Sequence, residues 1–192
     1  MKKLILVIAI VATNFANAQK DTYLVSGNLY YQFTNNSQSG TSDYRAFGFS
    51  PKIGYQFSDH WTAGIMTGLY SQKWEANVNY EDKNNSYNLG GFVRYSKPLN
   101  ETFSLFADFG LGYSHRKETL KTSEGTNKTN FNGFYSEFQP ILFLKVKNNL
   151  GLNFGLGGIS FNSLTNQTSR NTQTQFNFNF GQAFSIGLQN NF

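Results

Sequence analysis

The feature that most constrains this chain is an alternation of apolar and polar residues that runs from Thr22 to the C-terminus. Residues 176–192, "FNFNFGQAFSIGLQNNF", carry an apolar side chain at nearly every second position, with Asn, Gln, Ser, Gly or Ala between them. Successive side chains of a β-strand point to opposite faces, whereas those of a helix return to the same face every 3.6 residues. The period of two therefore predicts an all-β fold whose strands each have one apolar face.

The N-terminal stretch does not share this alternation. In "MKKLILVIAIVATNFANAQ" two lysines precede a short apolar run, which is followed by Ala-Asn-Ala. A charged start, an apolar run and an A-x-A site describe a cleavable export signal, and the run is shorter than the roughly 20 residues of a membrane-spanning helix. We predict cleavage between Ala18 and Gln19, which gives a signal peptide at residues 1–18 and one domain at residues 19–192.

The exported part is poor in charge and rich in aromatic residues. Of the 16 Lys and Arg residues, two are lost with the signal, which leaves 14 basic against 11 acidic side chains and a net charge of +3. This excess is too small to indicate a nucleic-acid partner. The absence of cysteine excludes disulfides. Aromatic residues at 17% against charged residues at 14% are typical of a barrel that crosses a membrane with its strands.

About eight alternating segments are separated by connections that are long and short in turn. The long connections are polar: "TNNSQSGTSDYR", "SQKWEANVNYEDKNNS", "HRKETLKTSEGTNKTNFNG" and "NSLTNQTSRNT". Alternate connections of an up-and-down meander lie at the same end. This rhythm therefore predicts a closed up-and-down antiparallel transmembrane β-barrel with long extracellular loops and short periplasmic turns. Pro51 and Pro140 fall inside strands, where we expect bulges because proline cannot donate to the ladder.

The composition of the two strand faces indicates which face meets lipid. One face carries most of the Phe, Leu and Ile residues, and the other is mostly Gly, Ser, Asn, Gln and Ala. On a soluble ligand-carrying barrel the outer face should instead be dense in Lys, Glu and Asp, so we expect the apolar face outside and a narrow bore filled by side chains. The large residues assigned to the bore are Tyr30, Met66, Tyr70, Phe92, Phe106, Tyr135 and Phe143. The aromatic residues assigned to two outer girdles are Tyr23, Phe33, Phe47, Phe57, Trp61, Tyr87, Tyr95, Phe103, Tyr113 and Phe134.

A few charged residues fall on the inward parity of their strands. They are Lys52, Arg94, Asp108 and Glu137. Arg94 and Asp108 lie a few residues from the same short turn on neighbouring strands, so we expect them to approach one another. Isolated charges in a narrow bore are costly and become tolerable when they are paired. We therefore predict a structural charge network in the lumen; the alternative is a gate or a proton path.

In these features the chain resembles the small eight-stranded outer-membrane barrels of the OmpA/OmpX kind, and most of all the compact outer membrane protein beta-barrel families of Bacteroidota. The resemblance implies a protein integral to the bacterial outer membrane. We further expect it to be a monomer in contact with lipid and lipopolysaccharide. The resemblance also implies biogenesis by the barrel-assembly machinery, which recognises a last strand with apolar residues at alternate positions before a C-terminal aromatic residue. The residues that match this signal are Phe184, Ile186, Leu188 and Phe192. Asn190 departs from the pattern, since an apolar residue is usual there.

Patterns that carry catalysis or metal binding are scarce. His60 lies in a predicted turn, whereas Ser114 and His115 are adjacent and invite comparison with barrels that modify lipid A. Adjacent strand residues point to opposite faces, however, so these two side chains are not expected to meet. We predict no catalytic residue, no cofactor and no metal site.

The resulting hypothesis is a non-enzymatic outer-membrane barrel whose extracellular loops mediate surface interaction or envelope integrity. Some basic residues of the loops are candidates for pairing with lipid phosphates: Arg116, Lys117, Lys121 and Lys128. The main alternative is a narrow passive pore for small solutes. A lipid A-modifying enzyme and a soluble ligand carrier are further alternatives.

Overall fold

Eight strands account for most of the chain, as the alternation predicts. A computed structural model of the protein describes residues 22–35, 43–77, 80–147 and 150–191. The strands are β1 (Thr22–Thr34), β2 (Asp43–Gln56), β3 (Trp61–Asn77), β4 (Tyr80–Pro98), β5 (Phe103–Thr122), β6 (Gly125–Lys147), β7 (Leu150–Asn166) and β8 (Thr172–Asn191). These described ranges contain no helix that is both long and apolar enough to span a membrane.

The strands form one closed antiparallel barrel in chain order. Each strand pairs with its neighbours in sequence, and the ring closes where β1 pairs with β8, from Leu24 opposite Asn191 to Asn28 opposite Gly187. The predicted closed up-and-down topology is therefore confirmed.

The apolar face of the strands points outward, as predicted. All the aromatic residues assigned to the girdles are exposed on the outside of the barrel. Among the large residues assigned to the bore, Met66, Phe92, Phe106, Tyr135 and Phe143 are buried. Tyr30 and Tyr70 are exposed, at 49% and 41%. Tyr70 lines the open space in the outer half of the bore.

The connections at one end of the barrel are tight turns. Residues 57–60 join β2 to β3, and residues 99–102 join β4 to β5. In the second turn the side-chain oxygen of Asn100 accepts the backbone N–H groups of Thr102 and Phe103 at 2.9 and 2.8 Å. An Asn side chain that mimics a backbone turn in this way fixes a short reversal, which fits the predicted periplasmic end.

At the opposite end, the prediction of long loops is wrong for the second and third connections. β3 continues to Asn77 and β4 begins at Tyr80, while β5 and β6 run to a turn of residues 123 and 124. Both faces of a hairpin that rises above the membrane meet water, so its strands need no apolar alternation and the sequence carries no sign of them. The fourth connection comprises residues 167–171, and the first lies largely outside the described residues.

The two prolines behave differently from one another. The expected bulge at Pro51 is wrong: Pro51 stands opposite Gly27 of β1 in an unbroken register, and the ladder with β3 resumes at Lys52 without a shift. At Pro140 the register with β5 is also unbroken, but the register with β7 shifts between Phe138 and Ile141. The expected bulge at Pro140 is therefore confirmed on the β7 side.

Candidate functional site

The deepest part of the bore is occupied by an ion pair between β4 and β5. Arg94 is 2% exposed and Asp108 is fully buried, and the two residues are directly opposite in the β4–β5 register. The Arg94 Nε donates to Asp108 Oδ1 at 2.5 Å, and its Nη2 donates to Oδ2 at 2.8 Å. The guanidinium is thus held in the two-pronged geometry that gives the strongest charge-assisted hydrogen bonds.

This pair is the centre of a hydrogen-bonded layer that crosses the bore. Lys52 Nζ donates to Asp108 Oδ2 at 3.2 Å and to Glu137 Oε1 at 3.4 Å. On the other side, Arg94 Nη1 and Asn153 Nδ2 both donate to Gln189 Oε1, at 2.5 and 3.2 Å. We call this set the lumen network: Lys52, Arg94, Asp108, Glu137, Asn153 and Gln189.

The lumen network joins β2, β4, β5, β6, β7 and β8. The structure brings together all four charged residues that the sequence assigned to the bore. Asn153 and Gln189 were missed, because an inward amide on a strand rich in Asn and Gln carries no signal of its own. Only their place in the alternation, which assigns both side chains to the inward face, could have identified them.

Apolar side chains close the bore on the side of the tight turns. Phe106 and Phe143 stack with their ring centroids 5.1 Å apart, and Ile141 is buried beside them. The Arg94 guanidinium carbon lies 4.7 Å from the centroid of the Phe106 ring. A charged layer backed by packed rings leaves little space at this level, where a cavity of about 10 Å³ remains.

On the outer side of the lumen network the bore is not filled, which departs from the expected side-chain-filled lumen. A cavity of about 320 Å³ lies above Lys52 and Glu137, and a second of about 270 Å³ lies nearer the outer end. Both are lined by Tyr70 and Asn88. Inward glycines such as Gly68 supply no side chain to fill this space, so the outer half of the barrel is a cup with a closed floor.

The wall of the outer cavity is rich in amide and hydroxyl groups. Its lining includes Gln72, Asn84, Ser86, Asn88, Ser114, Asn162, Gln173 and Gln175. Arg116 also faces this cavity, where it pairs with Glu118 at 3.1 Å and lies over the Phe131 ring at 4.7 Å. Arg116 therefore lines the cup and is not available to outer lipid phosphates as the sequence suggested.

The outer hairpins are tied together by charges on their outer surface. Lys73 Nζ lies 2.6 Å from Glu75 and 3.0 Å from Glu81, and Lys121 Nζ lies 3.0 Å from Glu81. Hydrogen bonds from Lys73 and Lys121 hold the pKa of the Glu81 carboxyl below its ordinary value. Hydrogen bonds to Glu75 and Glu81 raise the pKa of the Lys73 ammonium.

The candidate catalytic pair does not assemble. The Ser114 hydroxyl points into the bore and donates to Asn88 Oδ1 at 2.7 Å. His115 faces the outside, where its ring stacks on Tyr87 and its Nδ1 lies 2.5 Å from Asn132 Oδ1. Within the ranges that the structure covers, no group of three or more His, Asp and Glu side chains is arranged to hold a metal ion.

The remaining predicted sites fall at the ends of the chain. Leu188 of the predicted assembly signal is exposed on the outer face of β8. The side chains of Phe184 and Ile186, and the whole of Phe192, lie outside what the structure describes. The predicted signal peptide and its cleavage site also lie outside the described residues.

The chain is similar to known outer-membrane barrels both in its sequence profile and in its fold. The family profile described as "Outer membrane protein beta-barrel domain" matches residues 4–192. The fold is similar to that of Ail, the attachment invasion locus protein of Yersinia pestis, at a TM-score of 0.52 and 13% identity, covering 90% of this chain and 99% of that one. It is also similar to Neisserial surface protein A, at a TM-score of 0.50 and 12% identity, covering 89% of this chain and 97% of that one. No curated protein matches the sequence.

Proposed function

This chain belongs to the outer membrane protein beta-barrel domain family, and from that premise we propose that it is a non-enzymatic surface protein whose outer hairpins and cup contact a ligand outside the cell. The family and the outward apolar belt make it an integral protein of the outer membrane. They exclude the alternative of a soluble ligand carrier, whose outer surface would be polar. Contact with lipopolysaccharide, biogenesis by the barrel-assembly machinery and a monomeric state are part of the same proposal.

The observation that carries this proposal is the lumen network. It spans the bore with directly hydrogen-bonded side chains, at a level where the remaining cavity measures about 10 Å³. A solute that enters the cup from outside meets a closed floor. Above that floor, the cup and the two raised hairpins present polar side chains to the exterior, which supports recognition rather than transport.

Conductance in planar bilayers tests the closed floor. We expect the wild-type protein to give no stable single-channel steps. A variant that removes both the charged floor and the rings behind it, with Lys52→Ser, Arg94→Ser, Asp108→Ser, Phe106→Ser and Phe143→Ser together, should conduct because both layers that close the bore are then gone. Stable steps from the wild-type protein would instead support the alternative of a narrow passive pore.

Surface protease treatment of intact cells tests the orientation. Trypsin should cut at Lys121 and Lys128 in the β5–β6 hairpin, and it should leave Lys147 at the opposite end intact until the cells are broken. Cleavage at Lys147 in unbroken cells would reverse the assigned orientation. Overexpression should leave lipid A unaltered; a modified lipid A that is lost in His115→Ala would favour the enzyme alternative.

A further inference from the structure

The outer surface directly above the apolar belt is cationic on one flank of the barrel. Each of the four consecutive strands β2 to β5 carries an outward cation two or four residues beyond its last outward apolar or aromatic residue, and we call these residues the cationic collar: Arg45, Lys73, Lys83 and Lys117. Two further outward cations, Lys121 of β5 and Lys128 of β6, lie farther from the apolar belt, and Lys121 pairs with Glu81. The corresponding outward positions of β6, β7 and β8 carry uncharged residues: Asn132, Ser163 and Thr174. The charge at this height is therefore concentrated on half of the circumference.

The height of the collar matches a lipid headgroup layer. Arg45 lies two residues beyond Phe47 on β2, and Lys83 lies four residues beyond Tyr87 on β4. With a strand rise of about 3.3 Å per residue and a tilt of about 40°, two to four residues raise a side chain by roughly 5–10 Å. Headgroups occupy a layer of about 5–8 Å outside the hydrocarbon core. The collar thus faces the headgroups, not the hydrocarbon or bulk water.

The cations of the collar are placed against one another. Arg45 stands directly opposite Lys73 in the β2–β3 register, and Lys73 stands directly opposite Lys83 in the β3–β4 register. Like charges directly opposite on neighbouring strands destabilise a sheet. Glu75 and Glu81 compensate Lys73.

The other three cations lack such compensation. Arg45, Lys83 and Lys117 form no ion pair with any residue in the described part of the chain. The row therefore has an unbalanced positive charge at the height where anionic headgroups lie.

We propose that the cationic collar binds the phosphate groups of an anionic lipid in the outer leaflet. The position of the collar identifies its ligand. The collar faces the headgroup layer, and the anions in that layer are the phosphate groups of membrane lipids. The lipid phosphates supply the negative charge that Arg45, Lys83 and Lys117 lack, and they remove the repulsion across the three strands. This inference rests on the proposed contact with lipopolysaccharide and deepens it by naming the residues that bind the lipid. A collar without lipid affinity would leave the proposed ligand contact of the hairpins and the cup unchanged.

The test compares lipid binding by matched variants of the full chain in detergent micelles. The collar variant is Arg45→Gln/Lys83→Gln/Lys117→Gln, which spares Lys73 because its own acidic partners already neutralise it. The control variant removes the same amount of charge at the end of the tight turns: Lys97→Gln/Lys145→Gln/Lys147→Gln. The probes are purified lipopolysaccharide with its lipid A phosphates, the same lipid after enzymatic dephosphorylation, and inorganic phosphate as a competitor. Heat-modifiable migration on gels verifies that every variant is folded.

We expect phosphorylated lipopolysaccharide to bind the wild-type and control proteins with similar affinity. The collar variant should bind it at least about tenfold more weakly, since a cation near an anionic membrane surface contributes on the order of 1 kcal/mol. The dephosphorylated lipid should bind the wild-type protein as weakly as the phosphorylated lipid binds the collar variant.

Four results would overturn the proposal. One is equal binding by the wild-type and collar proteins, and another is equal binding of the two lipids. The third is the absence of wild-type binding to phosphorylated lipid. Displacement of the lipid by inorganic phosphate at equal concentration would identify free phosphate as the ligand and would likewise contradict a lipid site.

Discussion

Arg94 and Asp108 show what a single pair of residues contributes to this barrel. Both are buried in the bore, and each depends on the other for compensation of its charge. Removing one partner from a buried ion pair leaves an uncompensated charge, whereas removing both does not.

A double-mutant cycle tests the buried pair. We expect Arg94→Leu to lower the free energy of unfolding by about 3–5 kcal/mol, because Asp108 is left buried with Lys52 as its remaining cationic partner. The double variant Arg94→Leu/Asp108→Leu should be more stable than Arg94→Leu alone, since Lys52 keeps its contact with Glu137. Urea unfolding in lipid vesicles, followed by tryptophan fluorescence, measures these two variants and the single variant Asp108→Leu that completes the cycle. Additive losses in the double variant would show that the two side chains are not coupled.

The pKa of Glu81 gives a pH-dependent prediction for the outer hairpins. Hydrogen bonds from Lys73 and Lys121 lower this pKa from its ordinary value of 4.5. Because the folded pKa is depressed, the stabilisation from Glu81 is present above pH 4.5 and is lost as the pH falls through the lowered pKa. A carboxyl NMR titration should find a midpoint below 4.5 that returns towards it in Lys73→Gln/Lys121→Gln but not in Lys128→Gln. A midpoint unaffected by the first variant would contradict the assigned contacts.

The strands could be predicted from the sequence where they lie inside the membrane, but not where they extend beyond it. Lipid on one side and a narrow bore on the other impose a period of two, so strand number, facing and the inward position of Lys52 and Asp108 could be predicted from parity. The raised parts of β3 to β6 lack this constraint, and their polar residues were taken for loops. Pro51 was also misjudged, because a proline can stand in a ladder without changing the register.

Gly157 supports an irregularity of the wall at which the β7–β8 register shifts between Gly155 and Gly157. Gly157 has a φ of +88°, and a Cβ at this position would overlap the carbonyl oxygen of Asn179. We expect Gly157→Ala to cost at least about 1–3 kcal/mol in unfolding free energy, because its backbone is in a region that side chains disfavour.

Gly91 provides the matched control for Gly157. A Cβ at Gly91 would meet its nearest neighbouring atom, the carbonyl oxygen of Gly64, at an ordinary 3.6 Å. Gly91→Ala should therefore change the unfolding free energy by no more than about 0.5 kcal/mol. Equal effects of the two substitutions would mean that the β7–β8 irregularity does not depend on Gly157.

The pairing of β1 with β8, which closes the ring, is the least complete strand pairing of the barrel. β1 pairs with β8 from Leu24 to Asn28, whereas no pairing of residues 29–34 with β8 occurs within the described ranges. Unpaired backbone groups in hydrocarbon cost several kcal/mol each. Asn28 and Asn179 at this side line the cavity of about 320 Å³, so the bore gives water a route to the unpaired groups.

Hydrogen exchange measured on the protein in micelles tests this seam. Amides of residues 29–34 that face β8 should exchange faster than the amides of Val25 and Gly27, which lie within the paired part of the seam. Within residues 29–34, the amides that point to β2 serve as internal controls, because β1 pairs with β2 along its entire length. Uniform protection along both edges of β1 would show that the seam is closed throughout in solution.

The confinement of the collar to β2 through β5 has a consequence for how the protein sits among its neighbours. A barrel with the same surface on all sides has no preferred rotational orientation in the plane of a membrane, whereas one with cations on a single flank does. Anionic lipids would gather beside β2 to β5, while the flank of β6 to β8, which lacks collar cations, would remain the side on which other barrels can approach. The packing of this protein in a crowded bilayer should therefore be directional even though its own fold is a simple ring.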